Sequence, residues 1–511
     1  MNDALAYSRF APYVVLDEPV LEFGAARKGT AQATDPQKGL DAFGPYSARL
    51  SAKFHPKKLC VHPVASAEDW DRLLERLEML KSFQSIDEPS PYARIDYPGF
   101  DTAFRTHLDI SRNAAGLQID PAAFAIALDA ESPATGYRHI ISLLENALNQ
   151  LGELKDHDVL ALQLPREVVE RFRRSTPDFV PAEPRKKTRA ATAAKGRLRL
   201  RLEEIDQERS GEDAEETLYH DLRRSVKVMC MRRGIACQLV TENFLKEDPG
   251  QPWAGKLWNI GTSIFCKGGG IPWRVVSNEN VAFCGIRFGI TKNQTGQSIL
   301  IGLAQVFNAA GELVALRAGQ ALKKSESRSE AGYYLNKDQA RLLLAGAIED
   351  YQNVTGRLPD RIVVHKSSPF KAEEIQGMEE AAAGVRELDL IFVKGGTGFR
   401  LIPDRGQPAD RGSVVPTSDN SALVYTTGFV REYAKWQGKH IPSPYEIVRF
   451  KSNRSLVENA RDLLRMTKMN WNTTLYYRGE PCTFTNAIEV IGMMKELREN
   501  ESLRPGIRYY I

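Results

Sequence analysis

Between Val281 and Ser368 the sequence runs strand, hairpin, helix, strand, an order that few folds accept. VAFCGIRFGIT (Val281 to Thr291) reads as a first sheet strand. SILIGLAQVFNAAGELVALRAGQAL (Ser298 to Leu322) alternates apolar positions and reads as two strands joined by a turn at Asn308 to Gly311. The helical stretch KDQARLLLAGAIEDYQNVTG then leads to the strand RIVVHKSS (Arg361 to Ser368). EIVRF, the helix SLVENARDLLRMTKMNWN and the segment EPCTFTNAIEVIGMM complete an α/β layer.

A chain of 511 residues, 42% hydrophobic, has room for more than one such unit. Its net charge is only +4, so a nucleic-acid site has to be a local basic cluster and not a global excess. The six cysteines (Cys60, Cys230, Cys237, Cys266, Cys284, Cys482) are scattered without a C-x-x-C pair. That pattern suits a reducing cytosol and argues against structural zinc. MNDALAYSRF lacks a signal pattern, and no apolar run approaches the roughly 18 residues of a membrane span. A soluble, cytoplasmic protein is expected.

Arg185 to Arg201 supplies eight basic residues in seventeen, then the sign switches through Glu203, Glu204, Asp206 and Glu208 to Glu216. This charged insertion, 182–214, reads either as a solvated linker or as a basic arm touching phosphates or a partner chain. Upstream, KDHDVLALQLP (Lys155 to Pro165) has the pattern of a buried strand and leads into the polar helix REVVERFRR. No repeat of period roughly 20 to 50 stands out.

Downstream, EETLYHDLRRSVKVMCMRRG (Glu215 to Gly234) carries helical periodicity and ends on a glycine. The strand ACQLV follows, then a helix from about Trp253 to Lys267, stopped by Gly268, Gly269, Gly270 and Pro272. This is a helix, strand, helix passage of a Rossmann-like layer. Arg223 and Lys227, four apart, share a helix face. With Gln238 in the strand and Lys267 in the last helical turn, they can converge on a terminal phosphate, which needs several charge-assisted donors. The same residues can also be a solvated face, an edge amide and a lysine complementing a helix dipole.

KGGGIPWRV (Lys267 to Val275), preceded by WNIGTSIFC, resembles the junction between the MID and PIWI domains of Argonaute proteins. LEFG, DPQKGL and GPYS (Leu21 to Ser47) resemble the start of short prokaryotic Argonautes. The resemblance covers nearly the whole chain, most specifically Ala214 to Ile511. It implies a Rossmann-like MID domain and a ribonuclease-H-like PIWI domain, with no room for N-terminal and PAZ domains. The boundaries expected are an N-terminal region plus MID over 1–270 and PIWI over 271–511. It further implies that Arg223, Lys227, Gln238 and Lys267 hold the 5′-phosphate of a guide strand, with His220 competing for the first place. Structural Mg²⁺ is implied at that phosphate, with the C-terminal carboxylate of Ile511 and Gln238 as its protein contacts.

Cutting members of the family hold two metal ions on carboxylates. Matched to those places, this chain has Arg287 in the first PIWI strand, Ser367 after the fourth and Asn486 in the late helix. Glu326 and Glu330 are candidates for the loop glutamate. A fixed guanidinium repels a metal, so the resemblance implies a catalytically inactive member, with no catalytic residue of its own. Arg287 then either contacts a nucleic-acid phosphate or forms an internal ion pair. Short Argonautes of this kind use guide RNA to detect single-stranded DNA of plasmids or phage. They act with an APAZ-domain protein fused to a TIR, sirtuin-like or nuclease effector, and higher oligomers on activation are compatible with this. Two alternatives stay open: a metal-dependent nuclease with unusual ligands, and a scaffold whose nucleic-acid site is vestigial.

Overall fold

The computed structural model describes residues 13–510 apart from 26–28, 51–54, 113–116, 152–153, 173–220, 248–250, 278, 293–297, 309–312, 319–321, 324–327, 330–331, 404–405, 433–435, 437–440, 478, 486, 495, 498–502 and 505. The insertion 182–214, His220, Glu326, Glu330, Asn486 and Ile511 lie outside the described residues.

Three short strands open the chain, β1 (Val14–Val15), β2 (Leu21–Glu22) and β3 (Gln32–Ala33). A parallel sheet follows, built from β4 (Lys58–Ser66), β5 (His107–Ile110), β6 (Leu117–Ile119), β7 (Val159–Gln163) and β8 (Ala236–Val240). Its order is β5-β4-β7-β8, with β6 pairing further along β4. The central strand VLALQ is buried at every residue, as a parallel strand covered on both faces must be. Leu59, Val61, Val159 and Ala161 share one core with the helix Trp253–Lys267. Val64, Leu160, Leu162 and Cys237 share another with the helices Pro133–Gln150 and Leu222–Arg232.

β9 (Arg274–Val275) pairs with β2, so the start of the chain meets the exit from this sheet. The second sheet contains β10 (Val281–Lys292), β11 (Ser298–Asn308), β12 (Leu313–Ala318) and β13 (Leu322–Lys323). After a small pair, β14 (Arg328–Ser329) and β15 (Gly332–Tyr333), come β16 (Arg361–Lys366), β17 (Glu387–Lys394), β18 (Ser413–Ser418), β19 (Ser421–Val424) and β20 (Tyr445–Lys451). The order is β1-β18-β19-β20-β17-β16-β10-β11-β12, with β13 on β11. β10, β11 and β12 form an antiparallel meander, while β16 lies parallel to β10 on its other side and β17 parallel to β16. That is the ribonuclease-H-like pattern, and the chain as a whole is mixed α/β.

The crossover into β16 is the helix Lys337–Thr355, started by a reciprocal Asn336–Gln339 capping box and stopped at Gly356 with φ +77°. Among the described residues of this half, the buried Arg361 and Lys366 are paired. Arg361 binds Asp389 and Asp462, and Lys366 binds Glu374 at 2.9 Å with both side chains fully buried. No helix among the described residues is long and apolar enough to cross a membrane.

Candidate nucleic-acid interface

The helix Leu222–Arg232 begins at Asp221, whose carboxylate accepts the backbone N–H groups of Arg223 and Arg224. From that fixed start Lys227 lies one turn on. Its Nζ is 3.0 Å from Oε1 of Glu489, and Arg224 Nε is 3.3 Å from Oε2 of the same carboxylate. Glu489 belongs to the helix Ala487–Met494 of the second half of the chain. Gly492 on that helix makes room for Arg224, since a Cβ there would stand 2.4 Å from Nε. Burial works against ionisation of Glu489, but Lys227 and Arg224 outweigh it and hold the carboxyl below its ordinary pKa.

Gln238 and Lys267 come together from β8 and from the end of the helix Trp253–Lys267. Lys267 Nζ donates to Gln238 Oε1 at 2.9 Å and to Ser263 Oγ at 2.8 Å. Ser263 Oγ also donates to Gln238 Oε1 at 2.7 Å. Lys267 is 2% exposed, and its described contacts are these two neutral oxygens. Burial, and next the charge of Lys227, push its pKa down to about 7.

Of the four residues expected at a phosphate, the structure joins Gln238 and Lys267 directly, and Lys227, held by Glu489, acts on Lys267 through its charge. Arg223 is exposed on the same helical turn, and no described contact joins it to the cluster. Arg224, Ser263 and Glu489 are additions that sequence reasoning missed. Spacing could have supplied two of them, because Ser263 is four before Lys267 and Arg224 three before Lys227. Glu489, more than 250 positions from its partners, has no such signal.

Gln238, expected to contact Mg²⁺ as well as the phosphate, has its side chain engaged within the cluster: Oε1 accepts from an ammonium and a hydroxyl, and Nε2 donates to the carbonyl of Leu239.

The second constellation lies where β10 and β16 run side by side. Ile286 is opposite Lys366, and the Ser367 N–H donates to the Ile286 carbonyl at 3.3 Å, which sets Ser367 next to Arg287. Arg287 Nη1 donates to Glu480 Oε1 at 2.7 Å and lies 3.4 Å from the Phe484 carbonyl. Of the two roles expected for Arg287, this geometry contains the internal ion pair. The short helix Cys482–Thr485, which precedes position 486, sits on β10 at Gly285. His365 on β16 is 1% exposed and 3.2 Å from Thr483 Oγ1; burial, then Arg361, lower its pKa to about 3, so the ring is neutral. Among the described residues, the one group of three or more His, Cys, Asp or Glu close enough to share a metal is Cys60, His62 and Asp158, in the other sheet.

No protein-family model matches the chain, and no curated protein sequence matches it. Solved structures do. Clostridium butyricum Argonaute bound to a guide DNA and a 19-mer target DNA superposes with a TM-score of 0.60 at 14% identity, covering 98% of this chain and 55% of that one. Aquifex aeolicus Argonaute gives a TM-score of 0.57 at 14% identity, covering 98% and 57%. The Aa-Ago structure with externally bound siRNA gives 0.56 at 15% identity, covering 98% and 56%. The fold is thus Argonaute-like, with MID and PIWI layers, and the chain spans little more than half the length of the structures it matches.

Proposed function

We propose that this chain anchors the 5′-phosphate of a guide strand at Lys227, Gln238, Ser263 and Lys267, and pairs the guide with a single-stranded target without cutting it. The observation that carries the reading is Lys267, a buried ammonium held by two neutral oxygens with a second ammonium nearby. Lys227 already has the Glu489 carboxylate, whereas no acid stands among the described contacts of Lys267; a buried ammonium is costly without an anion, and a doubly charged phosphate with three acceptor oxygens supplies one. Exposed Arg223, one turn before Lys227, offers a cation to the following backbone. Nucleic acid as the ligand is supported by the guide and target DNA in the Clostridium butyricum structure and the siRNA in the Aa-Ago structure.

The non-cutting assignment rests on the resemblance, which puts Arg287 at the first metal place of the ribonuclease-H-like centre, where a guanidinium would oppose the divalent cations that in-line hydrolysis uses. Mg²⁺ would bridge the guide phosphate and the carboxylate of Ile511, with Gln238 as its further protein contact. Three further elements rest on the resemblance of Leu21 to Ser47 and Lys267 to Val275 to short prokaryotic Argonautes. They are an RNA guide, a single-stranded DNA target from invading plasmid or phage, and an APAZ-domain effector in the same cytoplasm that performs the chemistry.

The deciding experiment compares 5′-phosphorylated and 5′-hydroxyl guides of one sequence, as RNA and as DNA, by equilibrium binding. The expected result is at least a roughly tenfold preference for the phosphate, abolished in Lys227→Ala and in Lys267→Ala, with no target cleavage in Mg²⁺ or Mn²⁺. Equal affinity for the two guides defeats the anchor, and cleavage at a fixed site opposite the guide defeats the non-cutting assignment.

A further inference from the structure

Cys60, His62 and Asp158 converge on the face of the parallel sheet turned away from the helix Trp253–Lys267. Cys60 and His62 are two apart in β4, so their side chains emerge on one face. β7 runs parallel with Val61 opposite Val159, which sets Asp158, the residue before the strand, beside Cys60. One sulfur, one ring nitrogen and one carboxylate oxygen thereby lie within 4.8 Å of one another. The cysteines' scatter along the chain argues against structural zinc, but strand register assembles what spacing does not.

His62 supplies an independent observation. It is 7% exposed, and neither ring nitrogen has a hydrogen-bond partner. Nε2 is 3.1 Å from Asp158 Oδ2 but off the line of a hydrogen bond. A buried imidazole with unsatisfied nitrogens carries a penalty, and a bound Lewis acid would satisfy one of the two. Asp109 on β5 is the register partner of Cys60 on its other side, its carboxylate paired with Lys58 at 3.1 Å.

We propose that Cys60, His62 and Asp158 bind one borderline-soft divalent ion of the Zn²⁺ class. A thiolate, an imidazole and a carboxylate are the donors such ions select, whereas Mg²⁺ and Ca²⁺ take oxygen. Tetrahedral bonds of about 2.0–2.3 Å separate ligand atoms by roughly 3.3–3.8 Å, so side-chain shifts of about 1 Å complete the site. Binding displaces the thiol proton to solvent. Three protein ligands leave a fourth position for water on the side where Cys60 is partly exposed. The ion would clip β4 to β7, the strand that carries β8 and with it Gln238. The inference is independent of guide binding.

The test uses the full chain without a histidine tag, freed of metal by a chelator and titrated with Zn²⁺ or Co²⁺. Expected are one Zn²⁺ per chain with Kd below about 1 µM, a raised Tm, and a thiolate-to-metal charge-transfer band with Co²⁺. Cys60→Ser removes the band, His62→Gln and Asp158→Asn each weaken binding at least tenfold, and Cys230→Ser leaves both unchanged. Circular dichroism of each variant separates loss of a ligand from loss of fold, and the partly exposed Cys60 tolerates serine. No stoichiometric binding, or a band and affinity unchanged in Cys60→Ser and His62→Gln, overturns the proposal.

Discussion

Glu489 holds both Lys227 and Arg224, and a phosphate entering the same pocket has to share those cations or take them. Glu489→Gln keeps the volume and removes the competing charge. Affinity for a 5′-phosphorylated guide is expected to rise about 3–10-fold, while stability falls by about 1–3 kcal/mol, between the cost of breaking an exposed and a fully buried pair. Binding and urea unfolding of the one variant test both signs together; a fall in both would make Glu489 part of the anchor. Lys267 adds a pH dependence. Its pKa is about 7 in the folded chain against 10.5 ordinarily, so between those values the unfolded chain binds more protons and stability rises with pH. A bound phosphate favours the charged ammonium, so guide binding takes up a proton there. The ratio of 5′-phosphate to 5′-hydroxyl affinity should therefore fall from pH 6.5 to 8.5, and Lys267→Met should flatten that profile. None of this competition is visible in sequence. Lys227, Gln238 and Lys267 could be picked out by residue type and spacing, whereas Glu489 acquires its role from packing between the two halves of the chain.

At the scale of elements, Gly285 fixes how the late helices meet the first strand of the large sheet. A Cβ there would lie 1.9 Å from the Thr483 carbonyl oxygen and 2.7 Å from its carbon. The obstacle is backbone, so it cannot swing aside. Gly285→Ala is expected to lift the helix Cys482–Thr485 from β10, costing about 1–3 kcal/mol, and to loosen the Arg287 contacts with Glu480 and Phe484. A Tm equal to wild type would mean that the helix has another seat on the sheet. The elements themselves were largely legible. The strand Val281 to Thr291 is found as Val281–Lys292, the helix ending at Lys267 spans Trp253–Lys267, and the pattern after β12 is the helix Lys337–Thr355. Long apolar periodicities and glycine stops carry that information locally. β1 was not legible: two residues, Val14 and Val15, have no periodicity, and their pairing with Ser413 and Val414 is a contact across the whole chain.

Across the whole molecule, a few buried ion pairs and hydrogen bonds order the first hundred residues and tie them to residues between 411 and 474. Asp35 binds Arg94 through both oxygens, at 2.6 and 2.8 Å, and Gln37 donates to Thr474 Oγ1 at 2.9 Å. Glu18 binds Arg411 at 2.8 Å and Lys468 at 2.6 Å, next to the place where β1 joins β18. Burial opposes the charge on Glu18, yet the two cations hold its pKa below the ordinary value. Its stabilising contribution is thus present above the unfolded carboxyl pKa and is lost as pH falls through the folded one. Glu18→Gln leaves two buried cations without their carboxylate, an expected loss of about 3–5 kcal/mol near pH 6. Because the pair spans the chain, CD and tryptophan fluorescence should shift together in urea. The loss should depend on pH in a defined direction. Lys468 has a folded pKa of about 8, lowered first by burial and supported by Glu18. Without Glu18 that pKa drops further, so the variant's lysine sheds its proton earlier and escapes the burial penalty. The stability gap between wild type and variant should therefore narrow from pH 5.5 to 8.5, and a gap equal at both would show that Lys468 does not depend on Glu18 for its charge.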